Sequence, residues 1–143
     1  MIINKLERLT EDQIKDLQSL MCELTSNVTV STDMLRRTVA SANTHLFALI
    51  EENGHIVGCA SLCVFESPTG LKASVEDVVV SSLYRGQKFG RKLMEHIIDY
   101  AKKELAPIDL HLTSNPQRVS ANALYKAVGF EKRETNAYEM IIK

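Results

Sequence analysis

The sequence predicts a mixed α/β (α+β) fold, in which a mostly antiparallel central sheet contains one parallel pair of strands and is flanked by helices. Strand-like runs and amphipathic helical runs alternate along the 143 residues. Asn53-Gly54, a strong two-residue hairpin signal, separates two early strand-like runs and indicates antiparallel pairing. A helical run between the strand-like segments Ala73–Val80 and Ile108–Ser114 indicates a crossover, which is right-handed and joins parallel strands in nearly all sheets.

The first half of the chain is expected to contain three strands and two helices. Thr10 and Gln13 have the spacing of a capping box, and the apolar residues that follow recur at helical spacing up to Leu24. Ser31 or Thr32 is expected to cap the second helix. The predicted elements are a strand over Ile2–Leu9, a helix after Thr10, a helix over Ser31–Ala42, and strands over His45–Glu51 and Ile56–Phe65.

The second half contains the crossover and a C-terminal segment. Pro107 is expected to end the crossover helix, and Gly129 suits the position just after a helix C-terminus. The predicted elements are a strand over Ala73–Val80, a helix over Arg91–Leu105, a strand over Ile108–Ser114, a helix over Ser120–Val128, and a terminal hairpin of Phe130–Glu134 with Ala137–Ile142. Because no linker, repeat or low-complexity segment interrupts the chain, a single domain over residues 1–143 is expected.

Composition is that of an ordinary globular protein and argues against several classes of partner. Hydrophobic residues make up 45% and charged residues 24%, and 17 basic and 18 acidic residues give a formal net charge of −1. Such a balance provides no overall field for nucleic acid or an anionic membrane. The first residues turn polar at once, and no apolar stretch approaches the roughly 20 residues of a membrane span. A cytoplasmic protein is expected, in which the glycosylation sequon Asn27–Thr29 has no meaning.

The cysteines Cys22, Cys59 and Cys63 show neither a disulfide framework nor the spacing of metal ligands. Cys59 and Cys63 lie in an apolar run, where buried thiols are the ordinary interpretation. We therefore expect no metal site.

Residues 75–93, VEDVVVSSLYRGQKFGRKL, concentrate cations where a helix is expected to begin. The cations are Arg85, Lys88, Arg91 and Lys92. Helix N-termini normally favour acids, but main-chain N–H groups at a glycine-containing turn before a helix also form an anion cradle. A bound diphosphate would offset the repulsion among the cations. A solvated basic turn, whose glycines serve only the chain reversal, is the alternative that composition leaves open.

This segment resembles the acetyl-CoA-binding motif of the GNAT superfamily of N-acetyltransferases. The family pattern Q/R-x-x-G-x-G/A corresponds to Arg85–Gly90, with Lys88 where the family usually has its middle glycine. A slightly altered loop is therefore expected. Asn115–Met140 resembles the family's C-terminal segment, with its N-x-x-A-x-x-L-Y-x-x-x-G-F pattern. The resemblance covers residues 75–140, about half of the chain, and implies acetyl-CoA as the cofactor.

The resemblance also implies which residues bind that cofactor. Main-chain groups of Val78–Val80, which also suit an ordinary buried strand, would pair with pantetheine like an added strand. The amides of Arg85–Arg91 would bind the pyrophosphate, and Asn122 would contact the pantetheine or phosphate end. The cofactor-binding residues expected are Val78, Val79, Val80, Arg85, Gly86, Gln87, Lys88, Phe89, Gly90, Arg91, Asn115, Asn122 and Tyr125.

Glu76 and Asp77 are the candidates for the general base. An alkylammonium with a pKa near ~10 is mostly charged at neutral pH and must lose a proton before it attacks a thioester. Charges in an otherwise apolar strand need a reason, and because side chains alternate along a strand, the pair is not expected to share one face. The EDVVV segment resembles that of glucosamine-6-phosphate N-acetyltransferases, where both acids lie in the active site. An acid pair without catalytic duty is the alternative.

Tyr125 is the candidate acid for the departing thiolate. It falls where the family places a tyrosine near the thioester sulfur, although by itself it suits a half-buried helix aromatic. The four histidines form no recognisable constellation, and only His111, in a strand beside the crossover, is a residue to check.

Three functions are weighed. The first is acetyl transfer from acetyl-CoA to the primary amine of a small molecule by direct attack. The second is the same chemistry on glucosamine 6-phosphate, which EDVVV favours and the longer NPQRVSANALY segment disfavours. The third is a non-catalytic acetyl-CoA-binding module. A homodimer through the C-terminal strands is a further hypothesis by analogy, and neither nucleic acid nor a membrane is expected as a partner.

Overall fold

The computed structural model describes residues 1–26 and 28–143, so Asn27 of the Asn27–Thr29 sequon lies outside the described residues. The chain comprises two compact units, Met1–Thr113 and Ser114–Lys143. The single domain expected over residues 1–143 stays a prediction. Within the described chain, no helix has the length and apolar character needed to cross a bilayer.

The first unit is built around a five-stranded sheet. Its strands are β1 (Ile2–Lys5), β2 (Thr44–Ile50), β3 (Ile56–Ser67), β4 (Gly70–Val80) and β5 (Asp109–His111). They lie in the order β1-β2-β3-β4-β5; β4 and β5 are parallel, and all other neighbours are antiparallel. The predicted mixed sheet with one parallel pair is confirmed.

Three helices belong to this unit: α1 (Glu11–Leu24), α2 (Thr32–Ala40) and α3 (Phe89–Tyr100). The predicted capping box is present, since the Thr10 side chain accepts from the Gln13 N–H and the Gln13 side chain accepts from the Thr10 N–H, both at 3.1 Å. Ser31 caps α2. The crossover helix begins two residues earlier than predicted, and a π-helical turn, Ala101–Leu105, continues it towards Pro107.

Apolar side chains cover both faces of the sheet. On one face, which we call the α1 face, Leu46, Cys59 and Val79 pack with Leu17 and Leu20 of α1. On the other face, which we call the α3 face, Phe47 and Leu49 follow the opposite alternation of β2, and Val57 joins them because the register of β2 and β3 shifts between Leu49 and Ile50. There Leu49 and Val57 pack with Leu93 of α3, and the Phe47 ring contacts the rings of His96 and Tyr100.

The second unit contains α4 (Val119–Ala127), after which Gly129 adopts a φ of +113°. Among the described residues 128–143 there is no helix or strand. The predicted terminal hairpin of Phe130–Glu134 and Ala137–Ile142 is therefore wrong. An isolated two-stranded hairpin is at best marginally stable in water, so the alternation of apolar residues in this segment does not by itself produce one.

Candidate active site

A β-bulge interrupts β4 at the acid pair. Ser61 of β3 pairs with Glu76 and Cys59 pairs with Val79, so two residues of β4, Asp77 and Val78, lie opposite a single residue of β3. Asp77 has a φ of +52°, in the left-handed region that non-glycine residues seldom adopt. The regular alternation of side chains therefore stops at this point of the strand.

The charges of both acids act on thiols of β3. Burial raises the pKa of the Cys59 thiol to about 12, and the charge of Asp77 makes a smaller contribution to this rise. Burial also raises the pKa of Cys63. The charges of Glu76 and Asp77 raise it further, whereas a hydrogen bond with Thr44 lowers it. The register places Glu76 on the α1 face, since it pairs with Ser61, which lies two residues from Cys59. The expectation that the acids cannot share a face assumed regular alternation, which the bulge interrupts at Asp77, and it stays a prediction.

The surroundings of Asp77 raise the pKa of its carboxyl group. The residue is exposed, yet burial of its carboxyl group raises its pKa, and the charge of Glu76 raises it further. Glu76 accepts a hydrogen bond at Oε1 from the Ser74 Oγ at 2.6 Å. A carboxyl group whose pKa moves towards neutrality has the behaviour required of a general base. Ser74 was not predicted, although its position two residues before Glu76 in a strand is the signal that finds it.

The edge of β4 that faces away from β3 is open over its second half. β5 pairs only with Lys72, Ala73 and Ser74, so in the described part of the first unit no strand covers the edge along residues 75–80. The Ser81 N–H donates to the Val57 carbonyl at 2.8 Å. Because main-chain groups alternate between the two edges of a strand, those of residues 78 and 80 face the open edge.

This open edge leads directly into the start of α3. Gly86 and Lys88 have φ values of +80° and +64°, and α3 begins at Phe89. Within the described chain no side chain caps α3, and its first turn contains no acid. Its first N–H groups can therefore bind an anion. Lys88 takes the backbone conformation that a glycine adopts without strain, so the loop keeps this conformation with a lysine at the cost of some backbone strain.

The arginines of the cation cluster bond to protein groups. Arg85 Nε donates to the Val80 carbonyl at 3.2 Å, and its Nη2 lies 3.8 Å from Glu23 Oε1. Arg91 Nε donates to Glu95 Oε1 at 2.7 Å, one helical turn away. Local acids thus offset part of the repulsion that a diphosphate was invoked to relieve, and the anion cradle consists of main-chain groups. Glu23 was missed because its partners lie far along the chain.

In the second unit, Asn115 and Asn122 build the turn before α4. Asn122 Nδ2 donates to the carbonyls of Asn115 at 2.9 Å and Arg118 at 2.8 Å. Asn115 Oδ1 accepts from the Gln117 N–H at 2.9 Å. Both side-chain amides therefore shape the main chain here, and their contacts with a cofactor stay a prediction.

Tyr125 is buried in α4, with its ring centroid 6.4 Å from that of Phe130. Burial raises the pKa of its phenol, and Arg118 partly opposes this effect. The phenol is therefore protonated at neutral pH, which is the form that a general acid requires.

A family model and a known acetyltransferase both match most of this chain. Residues 8–130 match the model of the acetyltransferase (GNAT) family. Glucosamine 6-phosphate N-acetyltransferase of Arabidopsis thaliana is 30% identical over 109 residues, which cover 70% of this chain and 72% of that protein.

Solved structures share the fold at lower identity. The crystal structure of glucosamine-6-phosphate N-acetyltransferase from Arabidopsis thaliana superposes with a TM-score of 0.79 at 19% identity, covering 99% of this chain and 100% of that one. An aminoglycoside acetyltransferase from an uncultured soil metagenomic sample superposes with a TM-score of 0.80 at 19% identity, covering 99% and 96%. Because the family model matches most of its length, this chain belongs to the acetyltransferase (GNAT) family.

Proposed function

We propose that this chain transfers an acetyl group from acetyl-CoA to the primary amine of a small molecule by direct attack. The observation that carries the proposal is that the open edge of β4 beyond Ser74 runs into the uncapped start of α3, with Glu76 and Asp77 beside it. Membership of the GNAT family supports the acetyltransferase class. Acetyl-CoA, when bound, supplies an activated thioester.

The residues along this path fit acetyl-CoA. The main-chain groups of Val78 on the open edge suit an extended ligand that pairs as an additional strand. The first N–H groups of α3, from Phe89 onwards, suit a diphosphate. A Cβ built at Gly86 would meet no atom within 4 Å, so this glycine leaves room for a ligand to approach the main chain.

Asp77 and Glu76 are the two alternatives for the group that takes the proton of the amine. Asp77 is supported by its raised pKa, which keeps it a stronger base than an ordinary aspartate. Glu76 is supported by its exposure and by the Ser74 hydrogen bond that orients its carboxylate. Tyr125 is proposed to protonate the thiolate, supported by a phenol pKa that burial raises.

Calorimetry with acetyl-CoA and a thiol-release assay test the proposal. Gly86→Val places a side chain in the cofactor loop, and Gly54→Val is its matched control, because both glycines have positive φ and open space at Cβ. We expect the loop variant to lose about 10-fold or more in acetyl-CoA affinity beyond the loss in the control. If the wild-type chain has no affinity for acetyl-CoA, the proposal is wrong.

The nearest alternative substrate is glucosamine 6-phosphate. The 30% identity to a glucosamine 6-phosphate N-acetyltransferase supports it, as does the adjacent acid pair. Thiol release that is faster with this substrate than with every other amine of a panel would establish it. Affinity for acetyl-CoA without thiol release on any amine would instead indicate a binding module.

A homodimer is also proposed, through the C-terminal segment. Four apolar side chains there are largely exposed: Tyr138 at 90%, Met140 at 83%, Ile141 at 74% and Ile142 at 86%. Contiguous exposed apolar groups favour association. Sedimentation of the wild type and of Met140→Asp tests this: a monomeric wild type would contradict it.

A further inference from the structure

A row of polar side chains crosses the α1 face of the sheet beside the acid pair. The strand register pairs Thr44 with Cys63, Cys63 with Ser74, and Ser74 with His111. Because register partners in neighbouring strands point to the same face, these four side chains form one line across four strands. We call this line the polar row. All four residues are half-buried, so each keeps part of its surface exposed.

The polar row is linked to Glu76. Ser74 in the row donates to Glu76 Oε1 at 2.6 Å, and Glu76 is two residues further along β4 on the same face. Two residues of a strand span about 7 Å. A six-membered ring with its substituents covers this distance. An acceptor whose amine lies at the carboxylates therefore also lies over the polar row.

The chemistry of the polar row suits hydroxyl groups. The Thr44 and Ser74 hydroxyls and the His111 imidazole each donate and accept hydrogen bonds. The Ser74 hydroxyl already donates to Glu76, but its oxygen can still accept, so an acceptor with hydroxyl groups can add hydrogen bonds along the row that an apolar amine cannot. Phe65, next along this face of β3 after Cys63, is 49% exposed and offers an apolar surface to the C–H groups of a sugar ring.

We infer that the polar row binds the hydroxyl groups of the acceptor, that the acceptor is a polyhydroxylated primary amine of the amino-sugar class, and that His111 determines this specificity. The inference rests on the proposed function, because it assumes that acetyl transfer occurs at the acid pair. His111 acts here through contact with the acceptor and takes no part in proton transfer.

Thiol-release kinetics with glucosamine and cyclohexylamine test the inference, because both are primary amines on a six-membered ring and only the first carries hydroxyls. The oxygens of glucosamine also lower the pKa of its amine, so kcat/KM is expressed per concentration of the uncharged amine. We expect the wild type to prefer glucosamine by at least about 100-fold in kcat/KM. His111→Phe should reduce this preference about 10-fold, mainly by raising the KM for glucosamine, without changing the KM for acetyl-CoA. His55→Phe, at an exposed histidine of the β2–β3 turn, is the matched control and should retain the preference.

The outcomes separate this inference from the proposed function. Equal use of the two amines by the wild type would overturn the inference and leave acetyl transfer intact, as would an unchanged preference in His111→Phe. Should that variant fail to fold, Thr44→Val, a change of nearly equal volume at the other end of the polar row, provides the same test. Absence of thiol release with every amine would refute the proposed function itself.

Discussion

Glu23 accepts a hydrogen bond at Oε1 from the main-chain N–H of Ser82, at 2.9 Å, across 59 positions of sequence. The same oxygen lies 3.8 Å from Arg85 Nη2, and Arg85 in turn donates to the Val80 carbonyl. One carboxylate in the last turn of α1 therefore holds the turn that joins β4 to α3. The proposed pyrophosphate site is the main chain that follows, so its geometry depends on a helix that is remote in sequence.

We expect Glu23→Ala to weaken acetyl-CoA binding about 10-fold, because the variant leaves the Ser82 N–H and the Arg85 guanidinium without their acceptor. The KM for the amine should change little. Calorimetry measures the cofactor affinity, and Glu7→Ala, which removes an exposed acid between β1 and α1, serves as control. Equal affinities in the two variants would show that the contacts of Glu23 have no part in acetyl-CoA binding.

Lys88→Gly should raise the free energy of unfolding, or leave it unchanged, and should retain acetyl-CoA affinity. A lysine at φ +64° carries about 1–2 kcal/mol of backbone strain, which glycine removes at the expense of chain entropy. Lys92→Gly, inside α3, is the matched control and should lose about 1 kcal/mol. Urea denaturation compares the two, and an equal loss in both would mean that residue 88 carries no strain.

Asp77→Asn should raise Tm. The variant should also lower turnover about 100-fold or more if Asp77 is the base. Its folded-state pKa is raised, so the folded chain binds this proton more tightly than the unfolded chain, and the stabilisation is lost as pH rises through the raised value. Asparagine stays neutral and also tolerates positive φ. The gain in Tm should therefore be present near pH 8 and shrink towards pH 4. Asp99→Asn, on the exposed side of α3, is the control variant.

Glu76→Gln should move the acidic limb of the profile of kcat/KM against pH to lower pH. The charge of Glu76 raises the pKa of Asp77, and removing it lets Asp77 ionise at lower pH. Retained activity with this shift assigns the base to Asp77. A loss of about 100-fold or more without a shift assigns it to Glu76, and retained activity with an unmoved limb would contradict a catalytic role for the pair.

Tyr125→Phe should lower turnover about 100-fold and leave acetyl-CoA affinity nearly unchanged. The substitution keeps the ring that packs against Phe130 and removes only the hydroxyl group. Single-turnover kinetics together with calorimetry separate the two effects, and Tyr138→Phe, at a tyrosine that is 90% exposed, provides the control. An unchanged rate would exclude Tyr125 as the general acid.

Local chemistry was sufficient to predict most of the elements. The capping box at Thr10, the Ser31 cap and the Asn53-Gly54 turn each depend on residues within a few positions of one another, and all three are present. The strand–helix–strand order also predicted the parallel pair. The glycine-containing loop before α3 could be found from its pattern because the residues that form it are adjacent in sequence.

Features that depend on residues distant in sequence were decided by the tertiary structure. The predicted terminal hairpin is absent because alternating apolar residues do not by themselves provide a sheet edge with which a strand can pair. The break in side-chain alternation at Asp77 follows from a bulge, which exists only relative to the register of β3. Glu23 reaches Ser82 only because α1 packs on β4, and the polar row from Thr44 to His111 exists only once four strands are aligned. A sequence determines which side chains are present and how nearby ones are spaced, whereas register and packing decide which of them meet.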